Sequence, residues 1–405
     1  MFFRIRAWLV GAALLIPWVR PAHAGPLTLD LPTALARARE RAPEAVAALA
    51  SIADARARRV GADVFTHNPE LSLGGGARFG EPRTLALRAQ LSQELELGRR
   101  GARVRVADAG VQHAIATSEA ELRELGFEVA VLFIDARAAE LEVDLAQHDA
   151  AVAVRAVEAA QRRRKAGVIT DLDVNLATIA VGRARSAVKA AQSRRAVAIG
   201  ELAALVGARE DEAITLAGDL RPAPLALDAL RATVATRADV RAIEAEERVA
   251  RAEGSLATAA ARPDLGLWIA YERDEADTIA IGGLTIALPV WNRAQGDKAA
   301  AAARESGATR QRVALAGAAT RQIVDAFEAY VRSREAVDVF DRDIAPLLAD
   351  SEQLLEKSIE SGQIAISDYL VARQQILDGR REQLQRELQL ANAAATARFV
   401  AGMAP

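Results

Sequence analysis

The sequence is written twice. Asn68-Pro69-Glu70-Leu71-Ser72-Leu73 returns as Arg262-Pro263-Asp264-Leu265-Gly266-Leu267. Leu91-Ser92-Gln93-Glu94-Leu95 through Arg100 returns as Leu284-Thr285-Ile286-Ala287-Leu288 through Arg293. Gly167-Val168-Ile169, followed by Asp173, returns as Gly362-Gln363-Ile364, followed by Asp368. The offsets all fall between 193 and 195 residues, the mark of a tandem duplication.

Each copy carries the same succession of patterns: helix, two strands, very long helix, sharp turn, helix. The opening helix of the first copy is expected over residues 31–66. Strand patterns follow at about 69–79 and 84–97, where Leu71, Leu73, Ala77 and Phe79, then Leu85, Leu87, Ala89 and Leu91, alternate with other residues. Gly80-Glu81-Pro82-Arg83 between them reads as a turn. In the second copy Leu265, Leu267, Ile269 and Tyr271 alternate, then Ile279 and Ile281. There the phase slips at Gly282-Gly283 before Leu284, Ile286 and Leu288, which predicts a bulge or bend.

Long helices are expected over 99–166 and 294–361, interrupted in sequence only by Pro346. At 1.5 Å per residue each would reach roughly 100 Å. Phe127, Val131, Ile134, Ala138, Leu141, Leu145 and Val152 fall on three- and four-residue steps, the seam of a coiled coil. Ile323, Phe327, Tyr330, Val337, Ile344, Leu348 and Leu355 do the same, and Leu370, Leu377 and Leu384 keep a seven-residue interval. The domain reading is therefore a first repeat at 25–208, a linker or small side segment at 209–225 rich in Gly, Asp and Pro, and a second repeat at 226–405.

Composition supports long helices, since aromatic residues are 4% of the 405 while hydrophobic residues reach 51%. A net charge of −2 gives no global field toward nucleic acid. Without cysteines there are no disulfides and no thiolate metal sites, and His23, His67, His113 and His148 are too scattered for a metal cluster. No cofactor is expected. Residues 1–24 read as a secretory signal, with Arg4 and Arg6, an apolar run from Ala7 to Ile16, and Ala22-His23-Ala24 at the cleavage site.

The four strand patterns have the length that crosses an outer membrane. One face is apolar and the other carries Ser72, Arg88, Gln90, Ser92, Glu94 and Arg273, which suits lipid outside and water inside. Four strands cannot close, and open edges cannot face lipid, where unpaired backbone groups cost several kcal/mol each. Several chains must share one barrel, and three copies would give twelve strands. A pair of soluble hairpins on a periplasmic coiled coil remains the competing reading.

Over most of its length the chain resembles the TolC-like outer-membrane efflux proteins. The matching residues are Leu29-Asp30-Leu31-Pro32-Thr33-Ala34-Leu35 with Arg41-Ala42-Pro43-Glu44, the Asn68-Pro69-Glu70-Leu71 strand entry, Leu91 to Arg100, and the two Gly-turn-Asp tips. LSQELELGRRGAR looks most like the branch serving cobalt–zinc–cadmium-type efflux. The resemblance implies a mainly α fold with a membrane β-barrel: a homotrimer in which a periplasmic α-barrel carries a shared twelve-stranded barrel. It also implies residence in the outer membrane of a Gram-negative bacterium, docking onto a periplasmic adaptor, and an inner-membrane proton-driven pump of the RND type. This chain would then conduct passively, with divalent heavy-metal cations as its cargo.

The turns Gly167, Val168, Ile169 and Gly362, Gln363, Ile364 are the expected adaptor-docking tips, and the glycines suit left-handed helix ends. Asp173 and Asp368 follow at matching places, either as acids favouring a helix N-terminus or as rings constricting a pore. In the family a second acidic ring lies one turn later, and here that place is Val371. Arg162, Arg163, Arg164 and Lys165 read as a solvated basic run that also suits a helix C-terminus. A periplasmic adaptor and a secreted structural coiled coil are the rival classes. An enzyme is disfavoured, because no phosphate loop, histidine–carboxylate metal spacing or nucleophile elbow occurs.

Overall fold

The computed structural model describes residues 27–79, 84–209, 211–274 and 277–404. The signal peptide expected over 1–24 and the turn expected at 80–83 lie outside the described residues.

A short strand β1 (Leu27–Leu29) leads into α1 (Leu31–Arg41), whose N-cap Asp30 accepts from the Thr33 amide at 2.9 Å. The single opening helix expected over 31–66 is instead two. Pro43 forces Ala42 to extended geometry (ψ 141°), so α1 stops and α2 (Pro43–Ala62) starts afresh. Strands β2 (Glu70–Arg78) and β3 (Thr84–Leu95) follow, within two residues of the sequence expectation. Then α3 (Arg99–Lys165) runs unbroken for 67 residues, about 100 Å. It folds back on α4 (Asp171–Leu205).

The segment expected to be a linker is partly strand. In it β4 (Ile214–Leu216) pairs in parallel with β1, aligning Leu27 with Ile214 and Leu29 with Leu216. Leu29, Ile214 and Leu216 are buried with Leu125, Val129, Phe133 and Leu202, so this small sheet clasps the middle of α3 and the C-terminal end of α4. Leu220 inserts between α3 and the last helix, and Arg221 pairs with Asp341 and Glu387, each at 2.7 Å.

After α5 (Leu227–Ala232) and α6 (Ala238–Ala260) come β5 (Leu265–Asp274) and β6 (Asp277–Ile286). The second long helix differs from the first. It runs as α7 (Gln295–Asp343) and α8 (Ala345–Ser361), parted at Ile344 two residues before Pro346. Finally α9 (Ile366–Ala401) returns along both. Ile323, Tyr330 and Val337 of the expected seam are buried, while Ile344 at the break is 38% exposed.

The α8–α9 approach is close opposite that break. A Cβ on Gly379 would meet Leu348 at 2.8 Å, so the glycine is the socket for the leucine.

Candidate functional site

Two parts of the molecule carry chemistry beyond packing: the sheet at one end and the helical turns at the other. The sheet has strand order β2-β3-β5-β6, all antiparallel, so the two copies of the duplication meet at β3–β5 and, among the described residues, the outer edges of β2 and β6 are unpaired. Strand alternation sorts the side chains onto two faces. Rows on one face run Leu71, Leu91, Ile269 and then Leu73, Ala89, Tyr271, with Leu267 beside Leu284. These large side chains are exposed, Leu73 by 75% and Leu284 by 67%. Rows on the other face carry Ser72, Gln90 and Ala270, then Arg88 and Glu272, then Ser92 and Trp268, whereas Arg273, expected there, pairs with Leu87 on the face of Ile269 and Tyr271.

The bulge expected at Gly282-Gly283 is absent, since β6 pairs residue for residue with β5 from Asp277 to Ile286. The phase slip in the sequence is a change of face. Ile279 and Ile281 lie on the polar face with Trp268, and the indole covers Gly283, where a Cβ would sit 2.6 Å from the ring. Glycine there is required by the close approach of the tryptophan.

The LELGRR stretch fixes the sheet onto the helices. Gly98 turns through a left-handed conformation (φ 90°) to start α3. Arg99 then pairs with Asp264 of the second copy at 2.8 Å, and Arg103 pairs with Glu96 at 2.9 Å while donating to the Ala62 and Val64 carbonyls. Among the described residues no helix is long and apolar enough to cross a membrane.

The first turn makes its hydrogen bonds among its own residues. Gly167 is left-handed (φ 74°), and the Gly167 and Val168 amides donate back to the Arg164 and Arg163 carbonyls, closing α3. Arg164 forks onto both carboxylate oxygens of Asp171, at 2.6 and 2.9 Å. Thr170 and Asp173 form a capping box at the start of α4: the Asp173 amide donates to Thr170 Oγ1, and the Thr170 amide donates to Asp173 Oδ2 at 2.9 Å. The Thr170 hydroxyl, then the Thr170 amide, hold the Asp173 carboxyl below its ordinary range.

The second turn is built differently. Gly362 is again left-handed (φ 78°), and the Gln363 amide donates to the Ser358 carbonyl at 3.1 Å. The N-cap of α9 is Ala365, which has no side chain to offer. Asp368 is therefore outside any capping box, and its hydrogen bond is a long one, 3.5 Å from the Ser367 hydroxyl. Ile169 and Ile364 pack inward against Tyr369 and its neighbours, while Val168 and Gln363 are exposed. Val371 is 59% exposed.

The basic run divides its labour. Arg164 stays in its own turn, whereas Arg163 crosses to the second one, donating to the Gly362 carbonyl and to the Ile364 carbonyl at 2.8 Å.

The two helical hairpins are also joined by residues the sequence reading passed over. Arg373 of α9 pairs with Asp149 of α3 at 2.6 Å, both about nine-tenths buried, and Tyr369 is buried beside them. Burial pushes the Tyr369 hydroxyl above its ordinary value. The signal was present. Asp149 stands between Leu145 and Val152, and Arg373 between Leu370 and Leu377, so each is an opposite charge on an apolar seam.

Comparison with known proteins agrees with this anatomy. The family profile described as "Outer membrane efflux protein" matches residues 34–208. The chain is 26% identical over 300 residues to the cobalt-zinc-cadmium resistance protein CzcC of Cupriavidus metallidurans, covering 72% of this chain and 71% of that one. Its fold matches the crystal structure of CusC at a TM-score of 0.72 and 18% identity, over 92% of each chain. It also matches the open-state outer membrane channel MtrE of Neisseria gonorrhoeae at a TM-score of 0.70 and 19% identity, over 92% of this chain and 89% of that one.

Proposed function

We propose, from the match of residues 34–208 to the outer membrane efflux protein family, that the chain is the passive exit duct of a tripartite efflux system. The observation that carries this reading is the four-stranded sheet. It has one exposed apolar face, one polar face and, among the described residues, two unpaired edges, and it sits at one end of a helical body in which α3 alone is about 100 Å long. Strands of 9 to 12 residues suit an outer membrane, and the unpaired edges call for further copies. Three protomers closing edge to edge give a twelve-stranded barrel with the apolar rows toward lipid and the polar rows toward water.

In this arrangement the hairpins continue the duct into the periplasm. The turns at Gly167–Ile169 and Gly362–Ile364 face the adaptor and, through it, a proton-driven inner-membrane pump. Asp368 is the acidic ring at the constriction, supported by its uncapped, exposed carboxylate. The matching Asp173 is engaged in holding the start of α4, which favours a structural role for it. Divalent heavy-metal cations are the proposed cargo, supported by the likeness to a cobalt-zinc-cadmium resistance protein and by an acidic ring that favours cations.

The test is fractionation of the full-length protein, its mass in detergent, and conductance in planar bilayers. A trimer from the outer membrane that passes ions supports the duct. A protein that stays soluble in the periplasm would overturn it.

A further inference from the structure

The two turns are equivalent by duplication but not by construction. The first closes with its own residues: Arg164 on Asp171, and Thr170 with Asp173. The second has alanine where the first has threonine, and two of its carbonyls, at Gly362 and Ile364, are bonded by a guanidinium from the other hairpin. The Gly362 and Ile364 carbonyls lie in the turn between α8 and α9, and the partner of both is Arg163, 199 and 201 residues away in sequence.

Arg163 also closes a series. Along one side of α3, Asp149 pairs with Arg373, Arg155 pairs with Glu356, and Arg163 grips the turn between α8 and α9. All three links run from the first hairpin to the second, and the last sits at the extreme tip. Gly362 leaves just enough room, since a Cβ there would lie 3.3 Å from the Arg163 guanidinium.

We infer that Arg163 is a positioning residue that shapes the second tip, so that this tip is formed only while the two hairpins lie together. The first tip keeps its hydrogen bonds whether or not they separate. Resting on the exit-duct reading, this makes the two docking turns unequal toward the adaptor: the first is a permanent site and the second a conditional one. Loss of hairpin contact and loss of the second site are one event, because the same guanidinium serves both.

The experiment is hydrogen–deuterium exchange on the purified full-length protein in detergent, comparing the segments 359–369 and 165–174. Arg163→Gln should speed exchange of the second segment by about tenfold and leave the first unchanged. Arg164→Gln should do the reverse, and Arg163→Lys, with its charge kept but its fork lost, should fall between wild type and Arg163→Gln. In intact pumps, cross-linking to the adaptor from Gln363→Cys should drop in the Arg163→Gln background, while cross-linking from Val168→Cys persists.

Equal loosening of both tips, or no change at either, would overturn the inference. If Arg163→Gln does not assemble, the Arg163→Lys protein gives the same reading at smaller amplitude. A wild-type chain that behaves as a soluble periplasmic protein would remove the docking reading alone, because the exchange comparison still measures the hold of Arg163 on the turn.

Discussion

The first hairpin, α3 with α4, is continuous and closes its own tip; the second, α7 and α8 with α9, is broken at Ile344 and has its tip held by Arg163. Duplication supplied two equal starting units, and later substitution left one continuous with a self-bonded tip and the other broken with its tip bonded from outside. The difference rests on few residues. Pro346 has no counterpart inside α3, and Ala365 stands where Thr170 caps α4. The second hairpin leans on the first at Asp149–Arg373, Arg155–Glu356 and the Arg163 grip.

The largest effect should come from the buried pair. Arg373→Ala leaves Asp149 buried and unpaired, a loss of about 3–5 kcal/mol. The expected outcome is a lower melting temperature together with a raised channel conductance as the second hairpin detaches. Arg373→Leu combined with Asp149→Leu should restore most of the stability. If the single and double variants melt alike, the pair does not join the hairpins.

Next in size is the socket at Gly379. Gly379→Val drives side-chain atoms into Leu348 and should cost about 2 kcal/mol by overpacking. The same change in a Leu348→Ala background should cost clearly less, as read by thermal melting of both proteins. Equal costs in the two backgrounds would place the damage elsewhere than the α8–α9 contact.

The acids at matching positions give a smaller and sharper comparison. If Asp368 is the proposed constriction ring, Asp368→Ala should lower cation-over-anion selectivity in planar bilayers by about threefold, because a ring of charges lining a pore favours cations. Asp173→Ala should leave selectivity unchanged. Equal effects from the two would erase the distinction between the tips.

The smallest effect is the acid response of the first tip. The Asp173 pKa is depressed in the folded protein, so its contribution is complete above the ordinary carboxylate value of about 3.9 and is lost as pH falls through the folded value. Exchange in 165–174, corrected for intrinsic rates, should therefore rise only below about pH 4, and Asp173→Asn should reduce that rise, the remainder coming from Asp171, whose carboxyl the Arg164 guanidinium likewise holds low.

Much of this architecture could be read from the sequence because its periods are long. The seam at Ile323, Tyr330 and Val337 repeats often enough to identify a helix, and Leu71, Leu73 and Leu91 alternate over enough residues to identify strands. Shorter or three-dimensional features were not legible. β1 and β4 have three residues each and exist only as a pair, 187 residues apart at Leu27 and Ile214. The slip at Gly282-Gly283 looked like a bulge because Ile279 and Ile281 are apolar on the polar face, which only the pairing with β5 reveals. Asp149 and Arg373 each look like a flaw in an apolar seam until they meet. The grip of Arg163 on the second turn has no local sequence signature, since a helix-ending basic run looks the same whether it faces water or a neighbour.

The unpaired edges of β2 and β6 also bear on how such a protein is made. On the exit-duct reading, a lone protomer has no stable resting form on either side of the membrane, because its apolar rows shun water and its bare edges shun lipid. Insertion and association must therefore be one step, with an apparent order set by protomer concentration. A chain whose β6 edge is blocked by proline would still offer a good β2 edge to its neighbours, so co-produced with the normal chain it should poison assembly out of proportion to its share.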